Sequence, residues 1–332
     1  MALAGRVVIE DIESVALRGN PLNDPSTRRI PVYLPPGYDE GTRRYPVVYW
    51  LHGFTGAAVG QLYFGPWVLS VPEAADRVIR DGAPPAIVVM PDGWTTYGGS
   101  QFLNSSANGR YEDAVRELTG VIDAKYRTLA SREHRGISGK SSGGYGAVIL
   151  GMRHPDVFGG IACHSGDIYF EACYRIFFWD AVDTIRRHGG LGAFLEAFRQ
   201  SPKKTEAMVR TLGTTVAMAM AYSPNPRSPH GFDLPVDLET GRLNDEVWAR
   251  WLSWDPAHVV DQHADALRAM RMIYLDCGSR DQFHSHHGHR ILHERLTRLA
   301  ISHEYHEFDD DHSATNYRYV ESFRRLFQSL QR

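Results

Sequence analysis

Cysteine is scarce in this chain: three in 332 residues, none in a CxxC or CxxxC pair, which leaves nothing for a disulfide framework or a cysteine-based zinc site. Cys163 and Cys173 stand apart from it and from each other, and Cys277 closes the apolar run from Met272, where it reads as a small core residue. An excess of charge of one sign is also lacking. Thirty-six Lys and Arg against 39 Asp and Glu give a net charge of −3, so there is no electrostatic footprint for nucleic acid or an anionic membrane. No apolar run is long enough for a membrane-spanning helix, and residues 1–8 hold no stretch of signal-peptide length. The expectation is a cytoplasmic protein with no nucleic-acid or membrane partner. Internal repeats and low-complexity tracts are absent as well.

What is present is glycine, concentrated where chemistry needs it. Gly139-Lys140-Ser141-Ser142-Gly143 fits G-x-S-x-G, a strand-to-helix turn that pushes a serine hydroxyl out at the edge of a sheet. The short run Arg132–Ile137 offers a strand before it, and Tyr145–Met152 offers a buried helix after it, ended by His154-Pro155. Gly139-Lys140-Ser141 also imitates the end of a phosphate-binding loop. That reading fails, because the glycine it requires five residues earlier is His134.

Strand-like runs alternate with helical stretches along the chain, which predicts a mainly parallel sheet flanked by helices. Residues 5–18 and 28–34 look like an antiparallel pair, 45–51 and 86–90 like central strands, and 112–126 like a helix. Residues 159–163 and 272–277 read as later strands. Between those two, residues 168–200, 203–222 and 244–270 look helical, with a Pro-rich loop at 223–235. The expected organisation is a core of residues 1–167 and 271–332 with a helical cap inserted at 168–270. The cap is rich in aromatics, including Tyr169, Phe170, Tyr174, Phe177, Phe178, Trp179, Trp248, Trp251 and Trp254. They form its own core or, in part, line an acyl- or aryl-binding pocket, and any that are exposed offer a surface for a homodimer.

A serine nucleophile needs a base, and the base an orienting acid, which in this topology follow the serine in chain order. Asp281 lies just after the strand at 272–277 and is the expected acid; Asp276, inside that strand, is the weaker candidate. A helix at 289–299 and a strand at 302–308 then lead to the loop Asp309–His312, which makes His312 the expected base. The oxyanion donors are the backbone N–H groups of Ser142, after the nucleophile, and Phe54, in the glycine loop Leu51-His52-Gly53-Phe54-Thr55-Gly56. His52 precedes the serine and reads as loop support. The cluster of His284, His286, His287 and His289 raises a metal-dependent hydrolase as a rival, without a fixed ligand spacing to carry it. No cofactor or metal is expected.

Taken together, Val32-Tyr-Leu-Pro-Pro-Gly-Tyr38, Tyr45-Pro-Val-Val, Leu51-His-Gly-Phe, Met90-Pro-Asp-Gly93, Tyr111-Glu-Asp, Tyr126-Arg-Thr-Leu and the serine turn resemble the putative esterase family of α/β-hydrolases. That family includes S-formylglutathione hydrolase, enterochelin esterase-like enzymes, feruloyl esterases and mycolyltransferases. The resemblance covers nearly the whole chain except the cap. It implies an α/β-hydrolase fold with Ser141 as nucleophile, Asp281 as orienter, His312 as base, and Phe54 with Ser142 as oxyanion donors. The family usually has methionine where Ser142 stands; a backbone donor survives that change. The implied activity is a serine carboxylesterase acting on a small-molecule ester through an acyl-enzyme. Acyl transfer by the same intermediate and a non-catalytic binding module on the same fold are the alternatives.

Overall fold

The computed structural model describes residues 3–63 and 65–331. Eight strands form one sheet: β1 (Arg6–Glu13), β2 (Thr27–Leu34), β3 (Val47–Leu51), β4 (Ile87–Val89), β5 (Arg135–Lys140), β6 (Gly160–His164), β7 (Met272–Gly278) and β8 (Glu304–Phe308). Their spatial order is β1-β2-β4-β3-β5-β6-β7-β8. β1 and β2 pair antiparallel, with Arg6 opposite Leu34 and Glu13 opposite Thr27, and β2 pairs antiparallel with β4. Every remaining pairing is parallel. β3 and β4 consist of Val, Ile, Tyr, Trp and Leu because both faces of a central parallel strand are covered. Pro46 has no N–H to give to a ladder, so β3 begins after it and Tyr45 only bridges to Thr128.

Helices α1 (Val71–Arg80), α2 (Tyr111–Lys125) and α3 (Ser142–Arg153) follow β3, β4 and β5. α1 starts at a reciprocal cap in which Ser70 and Glu73 satisfy each other's amides. Between β6 and β7 the chain runs through α4 (Phe170–Cys173), α5 (Phe178–Arg187), α6 (Leu191–Gln200), α7 (Glu206–Thr211), a π-helical turn at Leu212–Val216, α8 (Ala217–Tyr222), α9 (Asp245–Leu252), α10 (Pro256–Val259) and α11 (Ala264–Arg268). α12 (Ser285–Arg298) and α13 (Tyr319–Gln331) complete the fold. α12 begins four residues before the expected 289, so the histidine cluster occupies its first turn.

Apolar side chains divide into two clusters. One gathers α1 and α13 under the sheet around Trp50, Phe323, Leu326 and Phe327. The other runs without a break from sheet residues such as Val47 and Ile161 through α2 and α3 into Phe178, Tyr222 and Trp251 of the 168–270 segment. No described helix is long and apolar enough to cross a membrane.

Candidate active site

β5 ends at Lys140 and α3 begins at Ser142, which leaves Ser141 alone in the turn at φ 56°, ψ −126°. A non-glycine residue is rarely held there. The surroundings enforce it: the Ser141 N–H donates to the His164 carbonyl at 2.9 Å, and the Ser141 carbonyl accepts from the Tyr145 N–H at 2.9 Å. The two flanking glycines allow the close approach. A Cβ on Gly143 would lie 2.1 Å from the Leu51 carbonyl oxygen, and one on Gly139 would lie 2.5 Å from the Gly143 backbone.

On the far side of β7 the turn Gly278–Asp281 carries the acid. His312 Nδ1 lies 2.6 Å from Asp281 Oδ2, and Asp281 Oδ1 accepts the Phe283 N–H at 2.8 Å. Burial raises the Asp281 carboxyl, but its hydrogen bond to His312, the charge there and the Phe283 amide outweigh burial and hold it below the ordinary range. The His312 backbone N–H donates to Gln282 Oε1 at 3.1 Å, and its ring meets the Phe283 ring edge-on at 4.9 Å. These contacts fix the plane of the imidazole, and Nε2 makes no hydrogen bond among the described residues.

The glycine loop after β3 approaches from the other side. A Cβ on Gly53 would lie 3.4 Å from Ser141 Cβ, so the Phe54 amide belongs to the immediate surroundings of the serine. Among the described residues nothing accepts a hydrogen bond from the Phe54 N–H, and Ser142, as the first residue of α3, has no acceptor within its helix. His52 braces this loop through both ring nitrogens: Nδ1 lies 2.8 Å from the Gly53 carbonyl, and Nε2 accepts the Gly93 N–H at 2.9 Å. The Phe54 ring is wedged between glycines. A Cβ on Gly98 would come within 2.5 Å of it, and one on Gly213, in the π-helical turn, within 2.9 Å.

Two cavities meet at Ser141 and His312. One of about 370 Å³ is bounded by residues 52–56 and by Gln61, Tyr63 and Ser70, with Lys140, Asn316 and Tyr319. The other, of about 520 Å³, is bounded by Ser142, Asp167, Tyr174, Phe177, Phe283 and Gly213. Tyr174 and Phe177 are therefore the segment's aromatics that face the cavity, while Phe178, Trp248 and Trp251 pack against one another and Phe170 packs against Tyr174 and Tyr222. Asp167, Gln101 and Ser142 form a polar floor that no sequence pattern announced, since Gln101 and Asp167 come from separate loops.

Asp276 and the histidine cluster lie outside this arrangement. Asp276 Oδ1 sits 2.6 Å from His164 Nδ1, whose Nε2 is 2.8 Å from Ser322 Oγ. This constellation imitates a catalytic set but is buried beneath α13. His289 Nε2 accepts the Gly166 N–H at 2.9 Å, tying α12 to the end of β6. Among the described residues no three potential metal ligands converge within the cluster. The one such grouping is Glu171, Asp255 and His258, where Asp255 already accepts the amides of Tyr169, Phe170 and Ala257.

Residues 25–327 match the family model described as putative esterase. An endo-1,4-beta-xylanase/feruloyl esterase of Xylanibacter ruminicola is 31% identical over 144 residues, 42% of this chain and 19% of that protein. An esterase of Mycobacterium tuberculosis is 30% identical over 139 residues, 41% of this chain and 28% of that protein. The chain thus spans less than a third of these relatives. Among solved structures, a ferulic acid esterase superposes with a TM-score of 0.62 at 19% identity over 99% of both chains. An S-formylglutathione hydrolase from Agrobacterium tumefaciens gives 0.61 at 17% identity, covering 99% of this chain and 97% of that one. At these identities the structures establish the shared α/β-hydrolase fold.

Proposed function

The chain belongs to the putative esterase family of carboxylic ester hydrolases, and from that premise we propose that it cleaves a small-molecule ester through an acyl-enzyme on Ser141. Ser141 Oγ attacks the ester carbonyl while His312 Nε2 takes its proton. Asp281 holds the ring and stabilises the imidazolium. The tetrahedral oxyanion is received by the N–H groups of Phe54 and Ser142, the latter at the positive end of α3. His312 returns the proton to the leaving alcohol, and water repeats the sequence to release the acid. We further propose that residues 168–270 act as a cap over the larger cavity.

The observation that carries this reading is the His312–Asp281 pair, 2.6 Å apart, opening with the strained Ser141 into the same two cavities. The test is hydrolysis of p-nitrophenyl acetate together with labelling by a fluorophosphonate. Ser141→Ala is expected to lower kcat on the order of 10⁶-fold and to abolish labelling. Full activity in that variant would remove the assignment.

A further inference from the structure

Asp167 stands at the end of β6, 7% exposed, and forms part of the wall of the 520 Å³ cavity with Ser141 and His312. One of its oxygens is saturated: Oδ2 accepts from the Tyr174 hydroxyl at 2.8 Å, Gln101 Nε2 at 3.1 Å and the Ser142 hydroxyl at 3.2 Å. Oδ1 takes no hydrogen bond among the described residues. No backbone amide and no cationic side chain among them binds this carboxyl, so it neither caps a helix nor closes an ion pair. Burying a carboxyl without such a role is costly. Gln101, which helps hold it, is itself fixed in the left-handed region at φ 56°, and its Nε2 also lies 3.0 and 2.9 Å from the Tyr174 and Tyr222 hydroxyls. The result is a rigid polar point beside Phe54, Phe177, Val209 and Phe283, in a wall whose other polar side chains include Thr55, Thr214, Gln282 and the Glu206–Arg210 ion pair.

We propose that Asp167 Oδ1 binds a hydroxyl group of the substrate, so that this enzyme selects esters whose acid or alcohol half carries a hydroxyl a few bonds from the reacting carbonyl. The inference rests on the acyl-enzyme reading above. Burial lifts the Asp167 carboxyl above its ordinary range, against the lowering effect of Tyr174, Gln101, His312 and Ser142, which brings its protonated form nearer to use. A hydroxyl pairs with either form, donating to the carboxylate or accepting from the acid. An ammonium group pairs only with the first and a second carboxylate only with the other. Reach sets the position. Ser142 touches Asp167 and follows Ser141, and consecutive Cα atoms lie about 3.8 Å apart, so the bound hydroxyl falls close to the acyl carbon.

The experiment compares kcat/KM within matched pairs on the full chain. In the acid arm, p-nitrophenyl 3-hydroxybutyrate is set against p-nitrophenyl butyrate; in the alcohol arm, 2-hydroxyethyl butyrate against propyl butyrate. The wild type is expected to prefer the hydroxylated member at least tenfold in one arm, which identifies the half that enters this cavity. Asp167→Ala is expected to bring that ratio to within twofold of unity, and Tyr174→Phe to reduce it partially. Equal rates in both arms for the wild type, or an undiminished ratio in Asp167→Ala, would overturn the proposal while leaving Ser141-dependent hydrolysis intact. Hydrolysis that survives in Ser141→Ala would instead overturn the acyl-enzyme reading and this proposal with it.

Discussion

At the scale of single residues, the site depends on groups held where their own preferences would not put them. In the proposed mechanism Asp281 is an ionised acceptor that keeps the His312 proton on Nδ1, and its lowered pKa suits that role. Asp281→Asn, which presents the wrong hydrogen-bonding partner to the ring, is expected to lower kcat by about 10⁴-fold, measured on p-nitrophenyl acetate with the fold checked by circular dichroism. His289 is a different case. Burial drives its pKa down to about 4, and its Nε2 accepts the Gly166 amide, which requires the neutral ring. Below the ordinary histidine pKa of about 6.5, the unfolded chain binds a proton here that the folded chain refuses. Stability is therefore lost as pH falls from about 6.5 towards 4, by about 3 kcal/mol from this one group. Denaturant unfolding at pH 7 and pH 4.5 should show a smaller loss for His289→Gln than for the wild type, and equal losses would rule out this residue as a source of the acid limb.

Residues joined by a local pattern or by chain order were legible in the sequence. Ser141 and its glycines sit within one turn, and Asp281 and His312 follow the strands that topology demands. Asp167 and Gln101 were not legible. Their contact is made between loops about 66 positions apart, and neither type nor spacing distinguishes them from ordinary surface polar residues. The likeness of His164, Asp276 and Ser322 to a catalytic set was equally hidden, because it is assembled from three separate elements, β6, β7 and α13.

Among elements, the π-helical turn at Leu212–Val216 connects the inserted helices to the chemistry. Gly213 lies against one edge of the Phe54 ring while Gly98 and Gly99 lie against the others, so the ring is held among three glycines. A Cβ at Gly213 would meet it at 2.9 Å, and the relief open to the loop is a shift of the Phe54 backbone, whose N–H is the proposed oxyanion donor. Gly213 has no positive φ, so alanine suits its backbone. Gly213→Ala is expected to lower kcat by about 10- to 100-fold, approaching the loss of an oxyanion donor, with little change in Tm. A large drop in Tm with kcat retained would show that the turn supports packing alone. The helical nature of 168–270 was readable from periodicity, but this docking was not. Periodicity gives the face a helix buries and leaves open what it is buried against.

For the whole molecule, the decisive feature is that the larger apolar cluster does not stop where the helices of residues 168–270 begin. Ile168 and Phe170 continue directly from the end of β6, and Asp255 at the start of α10 accepts the Tyr169 and Phe170 amides, pinning the two ends of the segment together. α12 packs so closely on this junction that a Cβ on Gly288 would lie 1.9 Å from the Ile168 carbonyl oxygen. Trp251, fully buried, meets Phe178 and Tyr222 at centroid distances of 5.4 and 5.3 Å and donates its indole N–H to Ser223 at 2.9 Å. Tyr222 in turn reaches Tyr145 of α3 at 5.7 Å, so removing Trp251 loosens the inserted helices and the serine helix together. Trp251→Ala is expected to cost about 3–5 kcal/mol. In thermal unfolding it should move a single transition, followed alike by far-ultraviolet circular dichroism and by loss of esterase activity. Two separate transitions, with activity lost in the first and the sheet surviving to the second, would show that the inserted helices fold as a unit of their own.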